Sequence, residues 1–420
     1  MLAVSAVSAS LAGAEAPSAY RVLMIAPTSF FADYGCHVRI REEARILSTL
    51  GSSVTICTYH NGRNLDGLDI RRTLSIPWRQ GYEVGSSRHK IAFDALLFVK
   101  ALAVSCRVRP DVIHAHLHEG ALIGTALSRV FGVPAVFDYQ GSLTSEMVDH
   151  RFISPTGPFY RPLRRLERFI DRSSTHIVTS STNAARQLVA GFGCPVDRVT
   201  PITDCVDTEM FHPLPEVERR RIRRAWGVPE GATVIVYLGK LAEYQGTGHL
   251  LRAARIVCAE RDDVHFVVGG YPFVDEYRAE AQALGIGERC LFTGRVDYQR
   301  EAPGLLAMAD IALSPKMSET EGAGKILNYM ACGLPTVAFD GEVSREFLGP
   351  LGVYAPRADV EGLARGILEL VVSPGRRAEL GPALRQRADE RFSCRQTGLA
   401  LLDIYASVGA HPSAGVRSPR

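Results

Sequence analysis

The chain has 420 residues, of which 46% are hydrophobic and 22% are charged. This is the composition of a globular protein that is too long for one ordinary domain, so we expect two domains, each with its own core. The net charge of +3 and the pI near 8.4 are too small an excess to indicate a nucleic-acid-binding protein, which needs a concentrated basic face.

The nine cysteines are scattered singly, without a Cys-x-x-Cys pair or a Cys/His cluster at the spacing of metal ligands. We therefore predict unpaired, buried cysteines in a reducing, cytoplasmic setting, and no metal site. The first 20 residues are rich in Ala and Ser, but they lack a basic segment and are interrupted by Glu15. A cleaved signal peptide is not expected, and we predict a disordered leader over residues 1–19.

The most apolar helical run, residues 91–106, contains Asp94 and Lys100. It is shorter than the roughly 20 residues that a membrane-spanning helix needs. We predict a core helix.

In the first half, short apolar runs alternate with amphipathic stretches of helical period, the pattern of parallel strands covered by helices on both faces. A helix predicted over residues 37–51 ends at Gly51, as helices commonly do. We predict one doubly wound domain over residues 20–210, with strands at 21–27, 53–59, 111–116, 134–139 and 175–180.

Two prolines and a run of charges interrupt this pattern, so we place a linker at residues 211–230. A second domain is predicted over 231–390, followed by a helix over 391–408 that packs back on the N-terminal domain and a disordered tail over 409–420. The ligand site is expected in a cleft between two Rossmann-like domains, because such sheets bind ligands at the carboxyl ends of their strands. The second series of strands is predicted at 233–239, 264–270, 290–294, 310–315 and 335–340.

The segment SETEGAGKILNYMACGLPTVAF (318–339) joins an acidic, glycine-bearing loop to a helix and a strand. Gly322 and Gly324 allow the backbone to approach a ligand, and the unpaired N–H groups of the following helix favour an anion such as phosphate. Lys325, in the first helical turn, opposes the helix dipole unless an anion is bound there. An ordinary turn with solvated acids is the alternative interpretation of the loop alone.

This block resembles the sugar-donor motif of the retaining glycosyltransferases of family 4, which have the GT-B fold of two Rossmann-like domains facing a central cleft. Further blocks agree in order over residues 20–407: RVLMIAP with YGCHVRI, DVIHAH, ITDCVDTEMF, YLGKLAEYQG and CLFTGRV. The resemblance implies a hexosyltransferase-like enzyme, as in polysaccharide biosynthesis. It would move a sugar from a nucleotide-sugar to a glycan, lipid-linked or small-molecule acceptor, with retention of configuration and without a cofactor.

The resemblance implies a sugar-donor site on the second domain. Lys240 replaces the family's Arg and Gln245 replaces its Lys, so one of two cations for the diphosphate is missing, and Lys325 is the candidate to restore it. The backbone near Arg295 and Val296 is expected to hold the base. The phosphate turn would consist of Gly322, Ala323 and Gly324.

The family has two glutamates eight positions apart, the first near the sugar and the second on the ribose. Counting back from Met330 places them at Thr320 and Asn328, whereas counting from the glycines places the first at Glu321. We predict Glu321 on the sugar, with Glu319 as the alternative. Asn328 would bind the ribose without a charge.

The acceptor site is implied on the first domain. Gln140 stands where the family often has His, and Gly35 is expected to let the backbone approach the leaving phosphate. A lone His at a strand end is more often a structural hydrogen-bonding residue than a catalyst. The side chains that could face the cleft are those of His116, Asp138 and Glu146, and His116 is the candidate catalytic residue among them.

Residues 161–172 hold five arginines, and Arg164, Arg165, Arg168 and Arg172 recur at helical spacing. A solvated basic face is the simplest interpretation. The alternative is peripheral contact with anionic lipid at the inner face of the membrane, or with a polyprenyl-phosphate-linked acceptor.

Three other functions are compatible with a doubly wound fold of this kind. A nicotinamide dehydrogenase is disfavoured because neither first strand of a domain is followed by G-x-G-x-x-G. A nonhydrolysing sugar-nucleotide epimerase shares the fold, and a catalytically silent nucleotide-sugar-binding subunit is made credible by Gln245, Asn328 and Gln140. The favoured prediction is a metal-independent retaining glycosyltransferase, since Lys240, Lys325 and the helix dipole can neutralise the leaving group and the sequence has no Asp-x-Asp motif.

Overall fold

The computed structural model describes residues 19–33, 35–76, 90–149, 152–318 and 322–412. The first half of the chain forms a parallel sheet of seven strands, arranged in the order 3-2-1-4-5-6-7. These strands are β1 (Arg21–Ala26), β2 (Ser53–Thr58), β3 (Asp69–Arg72), β4 (Val112–His116), β5 (Ala135–Tyr139), β6 (His176–Thr179) and β7 (Val199–Pro201).

The second half forms a parallel sheet of six strands, in the order 10-9-8-11-12-13. These are β8 (Thr233–Leu238), β9 (Val264–Gly269), β10 (Cys290–Gly294), β11 (Ile311–Ser314), β12 (Thr336–Phe339) and β13 (Val353–Ala355). Two doubly wound sheets confirm the predicted fold class.

Helices follow the strands in both halves and cover the two faces of each sheet. All residues of β4 and β5 are therefore buried, including the polar side chains of His114, His116 and Asp138. The helices of the first half are α1 (Gly35–Thr49), α2 (Lys90–Val108), α3 (Leu117–Phe131), α4 (Leu143–Asp149), α5 (Tyr160–Asp171) and α6 (Thr182–Gln187). Those of the second half are α7 (Glu216–Ala225), α8 (Thr247–Glu260), α9 (Val274–Ala283), α10 (Ala302–Ala307), α11 (Lys325–Ala331), α12 (Glu342–Leu348), α13 (Val360–Val371), α14 (Pro374–Arg391) and α15 (Cys394–Ser407).

The ten strands predicted from the sequence are present, each within one residue of its predicted ends. The three strands that were not predicted, β3, β7 and β13, all lie at sheet edges. Each has only three or four residues, and β3 alternates between exposed and half-buried positions. Such edge strands bury too little apolar surface to produce a hydrophobic run.

The segment between the sheets and the C-terminal helix are both packed against the rest of the chain. The segment predicted as a linker, 211–230, contains α7, and Phe211 and Val228 within it are buried. The C-terminal α15 packs against α1, and Tyr405 Oη lies 2.5 Å from His114 Nδ1. Residues 1–18 and 413–420, where we predicted a leader and a tail, lie outside the described residues, whereas Ala410 is buried.

The prediction that all cysteines are unpaired is wrong. Cys205, after β7, forms a disulfide with Cys394, at the start of α15, across a sequence separation of 189 residues. The pairing arises because the chain returns from the second sheet to the first before α15, a tertiary contact that cysteine spacing does not encode. Of the unpaired cysteines, Cys106 is exposed, which also differs from our expectation.

The apolar helix α2 is less buried than predicted. It buries one face, including Phe93 and Leu97, but Ile91 and Val99 are 78% and 62% exposed. Within the described ranges, none of the helices combines the length and the apolar character that crossing a membrane requires.

Gly246 supplies a test of the fold beside the cleft. Its φ is +79°, and a Cβ built on it would lie 1.8 Å from the carbonyl oxygen of Pro315. We expect Gly246→Ala to lower the free energy of unfolding by about 3 kcal/mol, because both the conformation and the contact oppose a side chain.

Urea unfolding measures this change. The control is Gly248→Ala, two residues further on, where a Cβ would meet only side-chain atoms at 3.3 Å or more. Equal stability of the two variants would contradict the prediction.

Candidate functional site

A cavity of about 360 Å³ lies between the two halves of the chain. Its walls come from segments that follow the strands of both sheets, including Pro27 and Thr28 after β1 and Gly239 and Lys240 after β8. This is the location expected for a ligand site in a doubly wound fold. The predicted site residues that line it are Gly35, Gln140, Glu146, Lys240, Gln245, Val296, Gly322, Ala323, Gly324, Lys325 and Asn328.

Two lysines reach the cavity from the second half. Lys325 Nζ lies 2.8 Å from Gln245 Oε1 and 3.2 Å from Tyr237 Oη, and 4.5 Å from the centroid of the Tyr237 ring. It also lies against Gly239, where a Cβ would be 2.9 Å from it. Gly239 immediately precedes Lys240, whose ammonium lies 5.2 Å from the Tyr244 ring. Lys325 thus reaches the backbone next to Lys240 and the side chain of residue 245, and both lysines line the cavity.

Steric crowding by Asp204 explains why the turn before α11 has glycine at positions 322 and 324. A Cβ on Gly322 or Gly324 would lie 3.0 Å or 2.9 Å from Asp204 Oδ2. Asp204 belongs to the first half of the chain, so these glycines allow a carboxylate of one half to contact the backbone of the other. The predicted residues Glu319 and Glu321 lie outside the described residues.

The wall beside β10 contains Val296 and Tyr298, with Tyr298 Oη 3.5 Å from Asn328 Oδ1. The side chain of Arg295 does not line the cavity. It pairs with Asp33 at 2.8 Å, and Tyr271 Oη donates to the carbonyl of Ala32 at 2.6 Å. These contacts join the two halves of the chain at this edge of the cavity.

His116 and Asp138, which we expected to face the cleft, are fully buried and do not line it. They are register partners at the ends of β4 and β5, and His116 Nδ1 lies 2.8 Å from Asp138 Oδ2. Their side chains point beneath the cavity floor, toward α1. The prediction that they face the cleft is therefore wrong, whereas Glu146 lines the cavity as expected.

Arg39, on α1, is the centre of this buried group. Its guanidinium contacts Asp138 at 2.8 Å, Glu43 at 3.0 Å and Asp204 at 3.0 Å. Although burial opposes it, Arg39 together with His116 holds the pKa of Asp138 below its usual value. Burial raises the pKa of Glu43 and of Asp204 despite the same guanidinium. One cation thus serves three carboxylates, of which Asp204 reaches the cavity.

Two buried groups among the described residues have side chains close enough for a metal ion, Glu43 with His114, His116 and Asp138, and His118 with Glu167 and Asp171. In the first group Arg39 already supplies a cation. In the second, His118 Nε2 lies 3.2 Å from Asp171 Oδ1. Although burial opposes it, Asp171 raises the pKa of His118, so an imidazolium can balance these carboxylates.

The opposite wall of the cavity is formed by the first half of the chain. Lys90 Nζ lies 2.6 Å from Glu119, and although burial opposes it, Glu119 and Glu146 raise the pKa of Lys90. Cys36 also lines this wall, but burial raises the pKa of its thiol to about 12. The Cys36 thiol therefore stays protonated and is a poor nucleophile.

Sequence reasoning missed Lys90, Asp204 and Lys316, and a compositional signal could have found the lysines. The chain has only five lysines, at positions 90, 100, 240, 316 and 325. Three line the cavity, and Lys316 Nζ donates to the carbonyl of Gly322 beside it. Asp204 could have been noticed in ITDCVD, where the resemblance leads to an expected Asn.

Comparison with known proteins agrees with this geometry. The family described as "Glycosyl transferase 4-like domain" matches residues 34–204, and "Glycosyl transferases group 1" matches residues 218–387. The chain is 27% identical to 2-deoxystreptamine glucosyltransferase of Streptomyces kanamyceticus, over 89% of this chain and 99% of that protein. It is 28% identical to D-inositol 3-phosphate glycosyltransferase of Acidothermus cellulolyticus, over 88% and 85% of the two chains.

Among solved structures, Anabaena Alr3699/HepE in complex with UDP-glucose is similar in fold. Its TM-score is 0.74 at 15% sequence identity, with 92% of this chain and 100% of that chain covered. Both halves of the chain thus match the same class of enzyme in sequence, and their arrangement around one cavity matches its fold. The chain belongs to the group 1 glycosyltransferases of family 4 type and has the GT-B fold.

Proposed function

We propose that this glycosyltransferase moves a sugar from a nucleoside diphosphate sugar to a polyhydroxylated acceptor, with retention of anomeric configuration. The observation that carries the proposal is the convergence of Lys240 and Lys325 on one cavity wall, beside Gln245. Departure of a nucleoside diphosphate develops negative charge, which fixed cations in a cavity stabilise. Because two ammonium groups serve this purpose, the proposed reaction needs no metal ion or other cofactor.

The remaining roles follow from position. Asn328 would bind the ribose, and the backbone near Arg295 and Val296 would bind the base, while Gly322, Ala323 and Gly324 would face the phosphates. Glu321, which precedes this turn, would hold hydroxyls of the transferred sugar, with Glu319 as the alternative. Gly35, Gln140 and Glu146 would contact the acceptor from the other wall. His116 is given no catalytic role, because its side chain is buried beneath the cavity.

The relatives support the choice of substrates. One relative is named for 2-deoxystreptamine and another for D-inositol 3-phosphate, both polyhydroxylated rings, and the HepE structure contains UDP-glucose. A cavity of about 360 Å³ can hold part of a nucleotide-sugar together with such a ring. We therefore propose a small cyclic polyol as the acceptor, in preference to a glycan or a lipid-linked molecule. UDP-glucose is the proposed donor.

Donor identity is tested by a thermal-shift screen with UDP, GDP and ADP and their glucose conjugates. A ligand that binds only the native state raises the melting temperature, and we expect UDP-glucose to raise it most. Binding without transfer to any acceptor would instead identify a catalytically silent subunit. An epimerised nucleotide-sugar formed without acceptor would identify the epimerase.

Lys325→Ala tests whether Lys325 supplies the cation that is missing at position 245. We expect kcat to fall about 100-fold, because a charge that stabilises the leaving diphosphate is lost, with a melting temperature close to that of the unaltered protein. The measurement is initial-rate kinetics with the donor found in the screen.

The matched control is Lys100→Ala. Lys100 lies on α2 and neither lines the cavity nor contacts Gly322, which lines it. Unchanged turnover in Lys325→Ala would refute the assignment. Lys325→Arg, which keeps the charge, should recover part of the activity.

We also propose peripheral contact with the cytoplasmic face of an anionic membrane through α5. Arg161, Arg165, Arg168 and Arg172 are exposed on this helix, whereas Arg164 turns inward and lies 3.8 Å from the Phe192 ring centroid. The prediction of a basic face is thus wrong for Arg164, which does not belong to it. Beside the arginines, Phe159, Leu166 and Phe169 are 69%, 43% and 58% exposed. Adjacent basic and apolar stripes suit the interface of an anionic bilayer.

Liposome sedimentation tests this contact. Reversing Arg161, Arg165 and Arg168 to Glu should abolish binding to vesicles that contain anionic lipid, because each basic residue contributes about 1 kcal/mol near such a surface. The control reverses three exposed arginines of α7, at positions 220, 221 and 224. Equal loss of binding in both variants would show a net-charge effect and would overturn the assignment to α5.

A further inference from the structure

Asp204 combines three features that nothing in the proposed reaction yet uses. It comes from the first half of the chain, just after β7, and it lines the cavity. Its side chain is 17% exposed, so most of the carboxylate is removed from solvent. A Cβ built on Gly322 or Gly324, in the turn that leads to Lys325, would lie 3.0 Å or 2.9 Å from its Oδ2.

The two oxygens of Asp204 have different surroundings. Oδ1 accepts a hydrogen bond from Arg39 Nη1 at 3.0 Å, and this bond fixes the orientation of the carboxylate. Oδ2 lies against Gly322 and Gly324, which have no side chains. Among the described residues, none donates a hydrogen bond to Oδ2. Solvent reaches Oδ2 from the cavity, so water or a molecule bound there can donate a hydrogen bond to it.

The position of Oδ2 indicates which part of a substrate it would contact. Gly324 directly precedes Lys325, whose ammonium joins Lys240 at the wall where we place the diphosphate. The diphosphate carries the ribose at one end and the transferred sugar at the other. Because Asn328 is assigned to the ribose, the hydroxyls of the transferred sugar are the donors that we assign to this position. An acceptor would enter from the opposite wall, where Lys90, Glu119 and Glu146 lie.

We propose that Asp204 Oδ2 accepts a hydrogen bond from one hydroxyl of the transferred sugar, and that Asp204 is therefore a residue that determines sugar specificity. The inference rests on the proposed function for the identity of the ligand. It differs from the role proposed for Glu321, because Asp204 reaches the sugar from the other half of the chain. A sugar that lacks this hydroxyl, or presents it in the opposite configuration, leaves the carboxylate without its partner.

A double-mutant cycle on donor binding tests the proposal. Dissociation constants are measured by calorimetry for UDP-glucose and its 2-, 3-, 4- and 6-deoxy analogues, with the unaltered protein and with Asp204→Ala; the GDP or ADP series replaces them if the screen selects another base. For one position, removing the hydroxyl should weaken binding to the unaltered protein by about 10-fold or more and leave binding to Asp204→Ala nearly unchanged. The other three positions should give additive effects.

A second variant protects the test from a folding defect. Asp204→Asn keeps the shape of the side chain and an oxygen for Arg39, but an amide NH2 replaces the accepting Oδ2, so the same hydroxyl should lose its effect. Asp207→Asn is the matched control, since Asp207 lies three residues further on and pairs with Arg45 at 2.8 Å outside the cavity. It should reproduce the unaltered protein at all four positions.

Additive effects at every position would overturn the proposal, as would a cycle that couples Asp204 to a hydroxyl of the acceptor instead. Because the readout is binding, it does not require turnover. If the donor binds and the cycle couples but no sugar is transferred, the proposed function fails and the assignment of Asp204 stands. If transfer occurs and no position couples, the assignment of Asp204 fails alone.

Discussion

The arrangement of this protein depends on one property of parallel sheets, which is that all their strands end at the same edge. Each sheet therefore places the segments that follow its strands in a single row, and here the two rows face each other across one cavity. Residues far apart in sequence, such as Gly35, Gln140, Lys240 and Lys325, become neighbours for this reason. The central strands are buried and mostly apolar, so the polar side chains that line the cavity come mainly from the loops and helices that follow them.

The charges around the cavity are divided between its two walls. On the second half, ammonium groups reach the cavity from the turn after β8 and from the start of α11. On the first half, four carboxylates line the cavity together with Lys90 and Arg39, and these two cations are paired with acidic side chains. A molecule with an anionic end and a neutral, hydroxyl-rich end suits such a division. Asp204 lies where the two walls meet, and its carboxylate is fixed by Arg39 on one side and by two glycines on the other.

The sequence predicted the elements that have a strong local signal. The ten strands with mainly apolar runs, the glycine end of α1 and the helix after Gly324 were all recognisable from residue order. The edge strands were not, since a segment such as Asp69–Arg72 derives its conformation from pairing with β2 rather than from its own residues. Recognition of the family rested on several short blocks in order, and both halves of the chain bear it out.

Prediction of the site was more limited, for a geometric reason. Sequence position can place a residue at the end of a strand, as for His116 and Asp138, but it does not say whether the side chain points into the cavity or toward α1. The partner that decides their direction is Arg39, which is 99 residues before Asp138 in the chain. The pairing of Cys205 with Cys394 was missed for the same reason, because it depends on where α15 returns. Lys325 was predictable because its unusual position in a helical first turn is a local feature.

The return of α15 to the first half means that the polypeptide passes between the two lobes twice. The passages run side by side, with Val206 N 2.9 Å from the carbonyl of Phe392 and a disulfide between Cys205 and Cys394. A single proteolytic nick in either passage would therefore leave the lobes tethered by the other. The two lobes are therefore joined covalently at one place, by two adjacent and cross-linked segments of the chain.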